Sequence, residues 1–160
     1  MCFCEHKGGL MISKILVPTD GSTTARRAAR YAVELAKETG ATITLVSVID
    51  PSFYAFQTIP DVVATPMRLR EPIWDFLRQG AVANLDNAEK LCKKNGVRSK
   101  KVIRTGHPVE EIVKEAEKSR VDLIIIGSHG RSALKAAVIG SVAFGIIHKD
   151  TKVPVLVIRR

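Results

Sequence analysis

The sequence predicts a single α/β domain, a doubly wound parallel sheet with helices on both faces. Three observations predict it. Short apolar, β-rich runs alternate with segments of helical spacing in the order β-α-β-loop-α-β-α-β-α-β, which implies a parallel sheet with right-handed crossovers. The run 121–127, VDLIIIG, is apolar without alternation, as a strand covered on both faces must be. The 160 residues suit one domain, large enough to bury about two-thirds of its unfolded surface without disulfide or metal.

Taken in order, residues 1–10 are expected to be a disordered extension outside the fold, with Met11 opening a second plausible start and the domain spanning 11–160. Residues 14–20, KILVPTD, read as a buried strand that stops at Pro18, which cannot donate to a ladder. Ser22 is a good N-cap for a helix over 23–39. In that helix Ala25, Ala28, Ala29, Ala32, Val33 and Ala36 recur at helical spacing, and Gly40 is a natural stop. Residues 41–49 form a second strand, closed by Asp50-Pro51. The stretch to Pro72 holds four prolines and no clean period, and reads as a long loop, with or without a short helix in it, functional or mobile as such loops usually are. Helical spacing resumes over 73–94 through Ile73, Phe76, Leu77, Gly80, Ala81, Asn84, Ala88 and Leu91, ending at Asn95-Gly96. Residues 97–104 make a polar strand suited to a sheet edge. His107 caps and Pro108 opens a helix with the stripe Val109, Ile112, Val113 and Ala116. After the strand 121–127 come a last helix over 141–149, with His148 near its C-terminus, and a last strand, 153–158.

Only eight residues are aromatic, so the core is aliphatic. No apolar run reaches the roughly 20 residues of a membrane span, and the N-terminus lacks a signal-peptide stretch, so a cytoplasmic location and no membrane partner are expected. Cys2 and Cys4 form C-x-C near His6, too few ligands for zinc, and Cys92 reads as a small buried hydrophobe. The net charge of +9 is concentrated: residues 66–105 hold ten Lys/Arg against four acids. Aromatics are not interleaved with these bases. A solvated helix and strand face is the preferred reading over a nucleic-acid surface, and the same field draws in anions.

The segment with chemical content follows the central strand. Gly127-Ser128-His129-Gly130-Arg131 leads on to Gly140-Ser141-Val142 in the pattern G-x2-G-x9-G-S. In an open α/β sheet, ligands bind beyond the carboxyl ends of the strands. Glycines there allow close approach or positive φ. Gly140-Ser141 opens a helix whose free amides and dipole favour an anion, and the Ser141 hydroxyl adds a donor. Main-chain amides at two bends and a helix start thus form a cradle for polyphosphate. The plain alternative is that the glycines only make turns. No Lys follows the final glycine, so this is no Walker A loop, and G-x-G-x-x-G is absent.

Lys14-Ile15-Leu16-Val17-Pro18-Thr19-Asp20-Gly21-Ser22 resembles the opening strand and turn of the universal stress proteins. Val46 to Asp50 resembles their second strand, Asp122 to Ser132 with Gly140-Ser141-Val142 their nucleotide loop, and Val153 to Ile158 their terminal strand. The resemblance covers 13–160 except the loop 51–72. It implies a five-stranded parallel sheet in the order 3-2-1-4-5, of the adenine nucleotide alpha hydrolase-like type, and the ATP-binding branch of the family. It implies that Pro18, Thr19 and Asp20 line the adenosine side and that Val48 offers backbone groups to adenine. Gly127, Ser128, His129, Gly130, Arg131, Gly140, Ser141 and Val142 would surround the phosphates of ATP, or of ADP or AMP, with Mg2+ carried on the phosphates themselves. It also implies a stress-linked role and a homodimer, for which the apolar, uncovered strand 153–158 is suited.

The leading expectation is a nucleotide-responsive homodimeric module acting on an unknown signalling partner. A slow or partner-stimulated ATPase is the alternative. Against it, the sequence offers no paired carboxylates for a metal and nothing to orient His129 as a base. Nucleic-acid binding through 66–105 and a flavin carrier are weaker readings; PTDGS is a poor match to a flavin loop.

Overall fold

In the computed structural model the described residues are 11–52, 67–130 and 139–159, with the backbone alone over 67–72. The five strands are β1 (Lys14–Pro18), β2 (Thr42–Ile49), β3 (Ser99–Thr105), β4 (Leu123–Gly127) and β5 (Val155–Ile158). The helices are α1 (Thr23–Thr39), α2 (Met67–Lys94), α3 (Pro108–Ser119) and α4 (Ser141–His148). All strands are parallel, in the order β3-β2-β1-β4-β5. The expected fold and strand order are therefore the observed ones.

Alternate side chains of each strand feed two cores. On one face Ile15, Val17, Ile43, Leu45, Leu123 and Ile125 meet the alanine stripe of α1 and Leu85, Ala88 and Cys92 of α2. On the other, Leu16, Val46, Ile124 and Ile126 meet α3 and α4. Small residues on α1 let that helix lie close to the sheet. Its ends are closed as expected: Ser22 Oγ accepts from the Ala25 amide, and Gly40 takes φ 75° with its N–H donating to the Ala36 carbonyl.

The N-terminal edge is held by one carboxylate. Asp122 Oδ2 accepts from the Ser13 amide (2.8 Å), the Ser13 hydroxyl (2.9 Å) and the Lys14 amide (2.9 Å), clamping the start of β1 to that of β4. Burial pushes this carboxyl up, but the three donors and the Lys14 charge outweigh it, and it titrates below the usual aspartate range.

Two expectations are corrected. The second helix begins at Met67, not at Ile73, and runs through Pro72. Pro72 has no N–H to meet the Arg68 carbonyl, so the helix lacks that bond near its start. The stripe also drifts. Phe76 is 73% exposed, whereas Leu85, absent from the expected stripe, is buried. His107 occupies the N-cap of α3 as expected, but its side chain makes no capping bond.

Candidate functional site

Between β1 and β4 the winding reverses. The chain leaving β1 crosses to β2 on one side, and the chain leaving β4 crosses to β5 on the other, so the two carboxyl ends open a crevice. Thr19, Asp20 and Gly21 follow β1; Ser128, His129 and Gly130 follow β4.

These two turns are joined. The Thr24 hydroxyl donates to the His129 carbonyl, and Ser22 Oγ reaches the same oxygen at 3.4 Å. Asp20 Oδ1 accepts from the Ser22 amide at 2.9 Å. Its other oxygen lies against Gly130, where a Cβ would fall 2.9 Å from Asp20 Oδ2. Ser22 was legible in the sequence as a cap. Its second bond, and the whole role of Thr24, were not, because a hydroxyl in a helix's first turn carries no sign of a partner about a hundred residues away.

The glycines divide by task, and a positive φ is not what Gly127 or Gly130 supplies. Gly127 and Gly130 are absent from the positive-φ residues. A Cβ on Gly127 would stand 2.6 Å from the Thr24 carbonyl carbon and 2.8 Å from the Ala25 nitrogen. That glycine lets the start of α1 rest on β4. A Cβ on Gly140 would fall 3.2 Å from His129 Cα and from the Ser128 oxygen, so the helix start sits against the loop. The Gly140 amide donates to that oxygen at 2.6 Å and is thereby committed to the protein. The anion-ready groups are the next amides, of Ser141, Val142 and Ala143, which open α4 and have no helical acceptor.

Val48 gains a physical rationale. In a parallel strand alternate residues turn both N–H and C=O to the same neighbour. The Val46 carbonyl accepts from the Thr19 amide, and the Ile49 carbonyl from the Gly106 amide on the β3 side. Val48 therefore turns its backbone toward β1, whose last rung is Pro18↔Val46. Its groups point past the end of β1 into the crevice.

His129 is not unoriented. The buried Ser128 hydroxyl shares a 2.8 Å hydrogen bond with His129 Nδ1. Pro18 and Thr19 are buried beneath the crevice. The structure thus brings Thr19, Asp20, Ser128, His129, Gly130 and Gly140 together, with Val48 beside them. Arg131 lies outside the described residues.

The basic stretch is partly neutralised where it is described. Lys101 pairs with Asp86 (2.8 Å) and Glu89 (3.2 Å), and Lys93 with Glu89 (2.9 Å). Arg104 bonds Glu115 through Nε at 2.9 Å and also through Nη2, while Ser119 donates to the other carboxylate oxygen at 2.6 Å. Burial pushes Glu115 up, but the Ser119 and Arg104 bonds and the Arg104 charge hold it below the usual glutamate range. The Lys101 bond likewise lowers Asp86. Two surface hollows, about 340 and 380 Å³, lie away from the crevice, along α2 and at the Gly40 and Gly96 turns. No described helix is long and apolar enough to cross a membrane.

The sequence model of the universal stress protein family matches residues 11–159. The chain is similar to universal stress protein MJ0531 of Methanocaldococcus jannaschii, 33% identical over 155 residues, covering 97% of this chain and 86% of that one. It is similar to protein MJ0577 of the same organism, 35% identical over 158 residues and covering 94% and 97% of the two chains. The solved MJ0577 structure superposes with a TM-score of 0.80. A universal stress protein from Archaeoglobus fulgidus, solved in complex with dAMP, shares the fold at 23% identity and a TM-score of 0.64, covering 92% of this chain and 98% of that one.

Proposed function

The chain belongs to the universal stress protein family, and from that premise we propose that it is a homodimeric ATP-binding module whose nucleotide occupancy is read by a partner in a stress response. One observation carries this reading. At the β1/β4 crevice, the first amides of α4 stand next to the Ser128–Gly130 loop, while Val48 turns unladdered backbone groups to the same opening. The first set suits phosphate, and the second suits the edge of a flat base that both donates and accepts. Asp20, beside Gly130, would face the sugar. Pro18, Thr19, Asp20 and Val48 would meet the adenosine half, and Gly127 to Arg131 with Gly140, Ser141 and Val142 the phosphates. The dAMP complex of the Archaeoglobus relative supports an adenine nucleotide. Among the described residues no group of three or more His, Cys, Asp or Glu stands together, so Mg2+ rides on the phosphate oxygens in this reading.

The sheet edges support self-pairing at β5. Edge strand β3 carries Lys101 and Arg104, tied to α2 and α3 by the ion pairs above, and Lys100, whose Nζ donates to Ser119 Oγ of α3 at 3.1 Å. Edge strand β5 is VLVI, half-buried and uncharged. Charge on one edge and none on the other directs a second copy to β5.

Calorimetry with ATP, ADP and AMP, alongside mass spectrometry of the small molecule carried through purification, tests the reading. The expected result is one adenine nucleotide per chain, bound without turnover over hours. Protein that arrives empty and takes up none of the three would sink it. The Ser128–His129 bond favours slow hydrolysis as a second reading. Steady phosphate release with Mg2+, lost on Gly140 substitution, would decide for it.

A further inference from the structure

Helix α4 belongs to two surfaces at once. Its start is tied to the β4 loop through the Gly140 amide and the Ser128 carbonyl (2.6 Å), and the Ser128 amide donates to the Ile158 carbonyl at the end of β5 (2.8 Å). The loop, the helix start and the edge strand are therefore linked by two short main-chain bonds.

The side chains of α4 complete the picture. Ala143 and Ile146 are buried against the sheet. Gly145 abuts α3, a Cβ there falling 2.6 Å from Val109 Cγ2. At about 100° per residue, Phe144 and Ile147 then lie on the flank away from α3. Since α3 covers β2 and β3 while α4 covers β5, that flank stands along the open β5 edge. Phe144 and Ile147 are 51% and 47% exposed, and the Phe144 ring stacks on His148 with centroids 4.0 Å apart. Among the described residues no strand pairs the outer side of β5, and the two bulky apolar groups beside it form one continuous margin with it.

We infer that nucleotide occupancy and pairing of two copies across β5 are coupled through α4, with Phe144 and Ile147 extending the paired surface. The inference rests on the nucleotide site and the β5 pairing proposed above. The phosphate-facing start of α4 and its exposed flank belong to one helix of eight residues. Phosphate held by its first amides fixes the place of Phe144 and Ile147 and of the Ser128–Ile158 bond. A second copy seated on those side chains fixes the same helix for phosphate. The coupling is favourable and reciprocal, and such couplings amount to about 5- to 150-fold in affinity.

Sedimentation equilibrium of the full chain, without nucleotide and with saturating ATP and Mg2+, measures it. The dimer dissociation constant is expected to fall at least about 5-fold with ATP. Calorimetric ATP affinity is expected to rise by the same factor between protein concentrations below and above that constant. Phe144→Ser with Ile147→Ser, both exposed, should weaken the dimer and abolish the concentration dependence while the monomer's ATP affinity stays unchanged. ATP bound equally well at every protein concentration overturns the coupling and leaves the nucleotide site standing. ATP not bound at all overturns the site and the coupling with it. A chain monomeric at all concentrations overturns the coupling. The two wild-type measurements decide the matter even where the double variant does not fold.

Discussion

Gly127 and Gly130 stand three residues apart in one turn, yet the backbone meets them differently. A methyl group on Gly127 would collide with main-chain atoms of Thr24 and Ala25, which cannot swing aside. On Gly130 it would meet, among the described residues, only the end of the Asp20 side chain. Gly127→Ala is therefore expected to lower unfolding stability by about 1–3 kcal/mol in a denaturant titration, the usual cost of overpacking. Gly130→Val is expected to leave the denaturation midpoint nearly unchanged and to abolish ATP binding in calorimetry. Unchanged affinity in that variant would remove Gly130 from the site. At the same scale, Asp122 makes stability depend on pH. Its carboxyl is depressed in the folded state, so the unfolded chain takes up protons first as the pH falls. Its contribution is present in full well above the unfolded value of about 3.9 and is lost as the pH drops below about 4. Asp122→Asn is expected to flatten the fall in stability between about pH 5 and pH 3, measured by urea unfolding at each pH. An unaltered slope would mean that the clamp does not depend on charge.

Among the elements, α2 departs most from its sequence pattern. Its 28 residues span about 42 Å, longer than any strand it covers. Over such a length the apolar stripe drifts around the axis, and only the part over the sheet is buried. Leu77, Ala81, Leu85, Ala88 and Cys92 meet the core, while Ile73, Trp74 and Phe76 are exposed. Leu85→Ala is expected to cost about 2–5 kcal/mol and Phe76→Ser to stay within about 0.5 kcal/mol, both read from chemical denaturation. Equal costs would put the stripe where the bare periodicity had it. Helix α1 behaves in the opposite way: its seventeen residues, Ser22 cap and Gly40 stop agree with the pattern throughout. It lies over the sheet for its whole length, so local preference and tertiary demand coincide. The edge strands differ by charge. Lys101 and Arg104 on β3 are held by carboxylates of α2 and α3, whereas β5 has no such cover among the described residues. The inward set of β5, Val155 and Val157, also packs against the α3–α4 core, so a charge there would unsettle the monomer as well as any dimer. The exposed Phe144 and Ile147 are for that reason the cleaner probes of self-association.

For the whole molecule, a ligand that binds the native state alone adds stability by mass action. ATP at about a hundred times its dissociation constant is expected to add about 2.7 kcal/mol, seen as a rise in the thermal midpoint that Gly130→Val removes. A midpoint indifferent to ATP would count against the crevice as a nucleotide site. Much of this molecule was legible beforehand. The alternation of runs, Pro18 ending β1, and the Ser22 and Gly40 caps determined the class, the elements and nearly all their limits, because each rests on contacts within a few residues. The glycine pattern and the resemblance it carried also pointed to the carboxyl ends of β1 and β4, where the crevice opens. Tertiary structure alone decided which groups are free to bind. It gave Gly127 to α1, committed the Gly140 amide to Ser128, tethered the His129 carbonyl to Thr24, and turned Val48 past the end of β1. Those outcomes depend on strands and helices far apart in the chain coming within hydrogen-bonding distance, and no local pattern records which long-range partner a backbone group will find.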